Sequence, residues 1–163
     1  MSVSDVTLSA GDMAPEWEAE AIGESGERSL GSAALKGQAY VLYFYPKDNT
    51  PGCTTQACDF RDQSLAPLGY KVIGCSPDSI RSHRNFQTKQ SFSFDLVSDP
   101  EHTIAEAFGV WREKKNYGRV YMGIVRSTFV VDAEGVISHV FSNVRAKGHV
   151  TRLLRDLDQK DRS

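Results

Sequence analysis

The sequence predicts an α/β fold, with a central mixed β-sheet flanked by helices on both faces. Residues 39–45 (AYVLYFY) form a β-branched and aromatic run between Gly37 and Pro46, which is typical of a strand buried on both faces. Helical and strand-like segments then alternate along the chain, which favours parallel pairing. The last two strand-like segments are joined by a short turn, which adds antiparallel pairing to the same sheet.

The segments of the first half follow from local signals. Residues 17–22 and 28–30 flank a GESGE turn, so we expect a small irregular N-terminal hairpin. After the central strand, residues 54–65 have apolar side chains at helical spacing and stop before Pro67 and Gly69. Residues 70–75 are the next predicted strand, followed by a polar helix over 78–89. These segments make a βαβ unit with a helix after it.

The second half continues the alternation. We expect a strand at 94–97, a short helix at 103–108, and two hairpin strands at 126–132 and 136–141 around the turn AEG. A final helix from 147 to about 158 has Val150, Leu153, Leu154 and Leu157 on one face. A chain of 163 residues suits one domain, so we expect residues 1–163 to fold as a unit.

Composition narrows the possible functions. Nineteen basic and twenty-one acidic residues give a net charge of −2 without a basic cluster, so nucleic acid is not an expected partner. The N-terminus has no basic start and no long apolar stretch, which predicts a cytoplasmic protein without membrane association. Three cysteines are too few for a structural disulfide framework, so they indicate catalytic or redox chemistry.

Cys53 lies where a helix should begin, directly after the central strand. The free N–H groups and the dipole of a first helical turn favour a thiolate, the nucleophilic form of cysteine. Thr50 is pushed to extended geometry by Pro51, and Gly52 lets the backbone approach a ligand closely. A small buried cysteine at a helix start would give the same pattern, so position alone leaves both interpretations open.

Cys58 follows five residues later. On a regular helix the two cysteines lie about 7.5 Å apart along the axis and roughly 140° apart around it. Their Cα atoms then exceed the separation of about 7 Å that a disulfide bridges. The spacing therefore suits a transient disulfide that forms when the helix frays. Zinc is a poor alternative, because no further cysteine or histidine pair completes a tetrahedral site.

Pro46, Thr50 and Cys53 spell PxxxTxxC within YFYPKDNTPGCTTQACDFRD. This stretch closely resembles the signature of peroxiredoxins of the bacterioferritin comigratory protein, or peroxiredoxin Q, group. The likeness continues in GDMAP, VIGCSPDS, LVSDPEHTIAEAFGVWREK and YGRVYMGIVRSTFVVDAEGVI. It implies a thioredoxin-like fold with an N-terminal hairpin extension, and reduction of hydrogen peroxide and organic hydroperoxides by a thiol.

The resemblance also implies a role for each matching residue. Cys53 matches the peroxidatic cysteine, which attacks the peroxide and becomes a sulfenic acid. Thr50 matches the hydroxyl that hydrogen-bonds thiolate and peroxide, and Pro46 matches the residue that shields the pocket. Arg126 matches the arginine that keeps the cysteine ionised and stabilises the transition state. Gln56 occupies a position that supports this arginine; without the resemblance, Arg126 and Gln56 would be expected in solvent.

Cys58 matches the resolving cysteine, whose thiol attacks the sulfenic acid to give an intramolecular disulfide. The resemblance implies reduction of that disulfide by thioredoxin or a similar dithiol, a monomer, and no metal, haem or flavin cofactor. Cys75 is expected to be a buried small hydrophobe, with a back-up thiol as the alternative.

Other residues are expected to be structural. We expect Trp111 and Phe108 to pack, with Trp111 as a possible outer wall of the pocket, and Lys114 and Lys115 to lie on a solvated loop. The histidines are expected at the surface, at positions His83, His102, His139 and His149.

Two other functions are compatible with parts of the sequence. A thiol–disulfide oxidoreductase would need two sulfurs within bonding distance, and the usual CxxC motif is absent. A redox sensor or redox-regulated holdase would need an effector segment or an exposed apolar helix, and the sequence offers neither. We rank both below a peroxidase.

Overall fold

The computed structural model describes residues 8–63 and 65–161. The strands are β1 (Glu18–Gly23), β2 (Gly26–Gly31), β3 (Tyr40–Phe44), β4 (Lys71–Ser76), β5 (Asp95–Ser98), β6 (Trp111–Asn116), β7 (Arg119–Ile124), β8 (Ser127–Val131) and β9 (Ile137–Phe141). The α-helices are α1 (Pro51–Asp62), α2 (Ile80–Gln90), α3 (Thr103–Ala107) and α4 (His149–Asp161). No helix in this part of the chain has the length and apolar character needed to cross a membrane.

The main sheet has seven strands in the order β2-β1-β5-β4-β3-β8-β9. β3, β4 and β5 are parallel, whereas β1 pairs with β5, and β8 with β3, in antiparallel fashion. The register of β3 and β8 sets Phe44 opposite Ser127. The residue before β8 therefore lies at the carboxyl end of β3, where the loop to α1 begins.

Side chains of β3 alternate between two apolar cores, as the period of a strand requires. Leu42 and Phe44 face the core that includes α3, whereas Val41 and Tyr43 face the core that includes α1, α2 and α4. All four are fully buried. The predicted α/β class, a mixed sheet with helices on both faces, is confirmed.

A glycine in β4 helps to set the position of α1. A Cβ added to Gly74 would lie 2.9 Å from Cζ of Tyr43, so the absence of a side chain leaves room for the tyrosine ring. That ring stacks on Phe60 of α1 with 4.5 Å between the ring centroids. The contact ties the helix to the central strand.

Several boundaries differ from the sequence-based expectations. The N-terminal hairpin is regular, with six paired positions, and its β1 joins the main sheet through β5. α1 begins at Pro51 and not at residue 54, because proline is well suited to the first helical position. The predicted end of this helix included Ser64, which lies outside the described residues.

The hairpin of β6 and β7 was not expected. It turns at Tyr117 and Gly118, which both have positive φ (51° and 76°), as a type I′ turn requires. The expectation that Lys114 and Lys115 lie on a loop is wrong, since both belong to β6. Most side chains of this hairpin are exposed, so it lacks the buried alternation that marks a strand in sequence.

The expectation of surface histidines is wrong for His83 and His149, which are 0% and 3% exposed. Each has hydrogen-bond partners inside the protein: Asp48 and Val97 for His83, and the Thr128 hydroxyl, 2.8 Å from Nε2, for His149. His102 and His139 are half-buried, and His102 stacks on Trp111 at 3.7 Å between centroids.

Burial, with a smaller contribution from the cations Arg152 and Arg126, lowers the pKa of His149 from 6.5 to about 4. The unfolded chain therefore binds more protons in this interval, so stability present above about pH 6.5 is lost as the pH falls to about 4. We expect protonation of His149 to decrease the free energy of unfolding by up to about 3 kcal/mol as the pH falls over this interval, as measured by urea unfolding. A His149→Gln variant should lack this component, and parallel pH curves for the two proteins would contradict the prediction.

Candidate active site

Cys53 is the third residue of α1 and is 2% exposed. Thr50 is the N-cap residue, in extended geometry (φ −88°, ψ 153°), and its carbonyl accepts the first helical hydrogen bond from Thr54 N at 2.8 Å. No acidic residue lies in this first turn. The free N–H groups and the positive end of the helix dipole therefore act on the sulfur without a competing carboxylate on the same turn.

Arg126 reaches Cys53 from another part of the chain. Its Nη2 donates to Cys53 Sγ at 3.3 Å. The residue lies between β7 and β8, and its carbonyl accepts a hydrogen bond from Val144 N at 2.9 Å, which fixes the backbone there. A guanidinium this close to the sulfur stabilises the thiolate more than the thiol.

Gln56 holds the other side of the guanidinium. Its Oε1 accepts from Arg126 Nη1 at 2.5 Å, and the residue is fully buried. It is therefore not a solvated helix residue. Its Nε2 is buried with no hydrogen-bond partner among the described residues. Cys53, Gln56 and Arg126 thus lie in one contact network.

Two further residues surround this network and were missed as site residues. Burial, and next the charge of Cys53, raise the pKa of Tyr43 well above its ordinary value, so its ring stays a neutral phenol. Burial and then Arg126 lower the pKa of Lys114, whereas Cys53 acts in the opposite direction. Lys114 is therefore near enough to add positive potential to the site. Lys114 lies on the hairpin of β6 and β7, and the Tyr117–Gly118 turn is the sequence signal that could have predicted this hairpin.

Pro46 and Thr50 lie on the loop between β3 and α1, and both are half-buried. The Thr50 hydroxyl donates to the carbonyl of Lys47 at 2.9 Å. The resemblance implies a hydrogen bond from this hydroxyl to the Cys53 sulfur, but in this structure its hydrogen goes to the Lys47 carbonyl. Because its hydrogen is occupied, its oxygen is left to accept a hydrogen from a bound molecule.

Cys58 lies in the same intact helix as Cys53, and both are free thiols. It is half-buried, and its Sγ donates to Gln90 Oε1 of α2 at 3.5 Å. Arg61 donates to the backbone carbonyl of the same Gln90 at 2.7 Å. The second half of α1 is therefore tied to the end of α2.

Cys75 lies in β4 and is fully buried in the core that includes α3, on the opposite face of the sheet from Cys53. Burial, and then Asp99, raise its pKa well above the ordinary value. A buried neutral thiol behind the sheet is a packing residue, and the geometry does not favour a back-up role. Trp111 and Phe108 also belong to that core or pack against it.

Comparison with known proteins agrees with this geometry. Residues 10–140 match the AhpC/TSA family. The peroxiredoxin Bcp of Bacillus subtilis is 48% identical over 93% of this chain and 96% of the relative. The chain belongs to the peroxiredoxins of the AhpC/TSA family. The peroxiredoxin Bcp of Escherichia coli is 41% identical, over 87% of this chain and 90% of the relative.

Solved structures similar to this chain also belong to the peroxiredoxin Q group. A cysteine-to-serine mutant of Xanthomonas campestris peroxiredoxin Q has a TM-score of 0.82 and 38% identity, covering 96% of this chain and 99% of the other. A mutant of Xylella fastidiosa PrxQ, in which a different cysteine is replaced by serine, has a TM-score of 0.83 and 33% identity, with 96% and 99% coverage. The thioredoxin-like peroxiredoxin fold is thereby confirmed, and the chain is a thiol-dependent peroxidase.

Removal of the Arg126 guanidinium should slow the reaction of Cys53 with iodoacetamide at neutral pH. A hydrogen bond to a charged group is worth about 1.5–3 kcal/mol, so we expect Arg126→Ala to lower the rate constant about tenfold or more. The measurement is best made in a Cys58→Ser background, so that Cys53 reports beside only the fully buried Cys75. Arg119→Ala, which removes an exposed arginine of β7, is the matched control and should react like its parent. Equal rates for the two arginine variants would refute the assignment.

Proposed function

We propose that Cys53 is the peroxidatic cysteine, and that hydrogen peroxide and organic hydroperoxides are its substrates. The observation that supports this most directly is the 3.3 Å contact between Arg126 Nη2 and Cys53 Sγ at the first turn of α1. The thiolate attacks the terminal peroxide oxygen, the O–O bond breaks, and the leaving alkoxide or hydroxide takes a proton. Sulfur gives up two electrons and becomes a sulfenic acid. The guanidinium of Arg126 faces the sulfur, so it stabilises the negative charge that moves from the thiolate to the leaving oxygen.

Gln56, Thr50 and Pro46 support this step in different ways. Gln56 fixes the orientation of the guanidinium through the 2.5 Å hydrogen bond. The Thr50 hydroxyl, which donates to Lys47, is free to accept the hydrogen of the hydroperoxide and so to orient it. Pro46 adds no N–H donor and shields the pocket from water.

Cys58 resolves the sulfenic acid. Its thiol attacks the Cys53 sulfur, the S–O bond breaks, water leaves, and an intramolecular disulfide forms. This requires α1 to unwind, since the two thiols are five positions apart on the intact helix of the reduced protein. Thioredoxin or a similar dithiol then reduces the disulfide by exchange. The enzyme is accordingly an atypical 2-Cys peroxiredoxin, and we propose that it acts as a monomer in the cytoplasm.

The sensor or holdase alternative is not favoured. It would also use oxidation of Cys53, but it does not need an arginine and a glutamine placed to accelerate attack on a peroxide. A thiol–disulfide oxidoreductase is disfavoured by the helical separation of the two thiols.

Peroxide consumption coupled to thioredoxin and its reductase tests the assignment. We expect Cys53→Ser to abolish turnover, because no other thiol can form the sulfenic acid. Cys58→Ser should consume one equivalent of peroxide and then stop, with a sulfenic acid that dimedone traps on Cys53.

Cys75→Ala is the matched control, since it removes the third thiol without touching the site, and it should turn over like wild type. Full activity of Cys53→Ser would exclude the mechanism. Sustained thioredoxin-dependent turnover by Cys58→Ser would reassign the resolving step alone.

A further inference from the structure

A buried carboxylate anchors the loop that carries Pro46 and Thr50. The side chain of Asp48 is 1% exposed. Tyr45 donates its hydroxyl to Oδ1 of Asp48 at 2.6 Å, and Ser82 of α2 donates its hydroxyl to Oδ2 at 2.8 Å. The ring of His83, also in α2, lies with Nδ1 2.7 Å from the same Oδ2. Three partners, one just after β3 and two in α2, therefore converge on one loop residue.

The hydrogen bonds of His83 show where its protons are. Nε2 lies 2.8 Å from the carbonyl oxygen of Val97, which can only accept, so Nε2 carries a hydrogen. Nδ1 faces Asp48, which already accepts two hydroxyl hydrogens, as a carboxylate does. One hydrogen therefore lies between Nδ1 and Oδ2 and joins the two buried side chains, and removing either partner leaves a buried polar group unpaired.

The same loop has a backbone conformation that needs support. Asn49 has a φ of 61°, in the left-handed region, which few residues other than glycine adopt. On one side of it, Asp48 N donates to Asp78 Oδ2 at 2.8 Å. On the other side, the Thr50 hydroxyl closes the turn onto the carbonyl of Lys47. A strained backbone conformation persists where surrounding contacts hold it, and the contacts of Asp48 hold the conformation of Asn49.

Asp48, Asp78 and His83 also offer ligand atoms within 4.8 Å of one another, which is a spacing compatible with a metal ion. However, the Ser76 hydroxyl donates to Asp78 Oδ2 at 2.6 Å, and the atoms of Asp48 and His83 already bond one another. The hydrogen bonds within this group account for its geometry, so we treat it as a structural network.

We propose that Asp48 is a positioning residue of the peroxidase site, which through its buried hydrogen bonds to His83 and Ser82 locks the loop 46–50 to α2 and so holds Thr50 and Pro46 in place to orient the peroxide. This proposal rests on the proposed function, because it concerns the residues that orient the substrate of Cys53. Asp48 does not touch the sulfur. Replacement of Asp48 should therefore slow the reaction of Cys53 with peroxide and leave the thiolate itself reactive.

The test compares two reactions of the same thiol. In Asp48→Ala, we expect the rate constant of Cys53 with hydrogen peroxide, followed by stopped-flow fluorescence, to fall about tenfold to a hundredfold. The rate constant with iodoacetamide, which needs only an accessible thiolate, should stay within a factor of about two. Asp95→Ala is the matched control, because Asp95 is also a buried carboxylate with a basic partner, Arg28. It lies at the start of the interior strand β5, which is parallel to β3 through β4, and so at the end of the sheet opposite to the loop that follows β3. Asp95→Ala should lose stability and keep both rates.

His83→Gln provides a second variant if Asp48→Ala does not fold. Glutamine removes the imidazole ring but keeps a donor near Asp48, so the same selective loss of the peroxide rate should appear in smaller degree. A wild-type peroxide rate in the variant that folds, or an equal fall in both rates, would overturn the proposal. If wild type itself showed no peroxide reduction that depends on Cys53, the proposed function would fail instead, so the two failures are distinguishable.

Discussion

The contact between Arg126 and Cys53 is the interaction on which the rest of the site depends, and the sheet is what makes it possible. The two residues are 73 positions apart in sequence, yet the guanidinium lies 3.3 Å from the sulfur. The antiparallel register of β3 and β8, with Phe44 opposite Ser127, brings the residue before β8 to the end of β3. Tyr43 stacks on Phe60 and fixes α1 above that point. Gln56 then sets the angle of the guanidinium.

The proposed mechanism requires the same helix to serve two incompatible states. Attack on peroxide uses an intact first turn, because its N–H groups and dipole favour the thiolate, whereas a disulfide to Cys58 requires that turn to open. The sequence of α1 suits this requirement. Gly52 and two β-branched threonines lie in its first turns, and Thr50 gives no side-chain cap. Its intrinsic helix propensity is therefore low, so tertiary packing of Ala57 and Phe60 is what keeps it folded.

Local patterns predicted the parts of this protein whose signals are local. The central strand, the βαβ unit and the late hairpin were predicted because buried strands and amphipathic helices have distinctive periods, and Cys53 because it follows a strand at a helix start. The proximity of Arg126 to Cys53 came only from the resemblance, since no local signal encodes a strand register. The β6–β7 hairpin and the burial of His83 and His149 were missed for related reasons. An exposed hairpin lacks an apolar period, and a histidine is buried when distant partners, such as Asp48 or Thr128, satisfy it.

Hydrogen–deuterium exchange on reduced and peroxide-treated protein tests most directly whether one helix serves both states. We expect the amides of residues 54–58 to be protected in the reduced protein and to exchange faster after one equivalent of peroxide. Amides of α2 should keep their protection, and dithiothreitol should restore that of α1. Mass spectrometry on the same samples would locate the disulfide. A Cys53–Cys58 disulfide in a protein whose α1 amides stay as protected as in the reduced state would contradict the account.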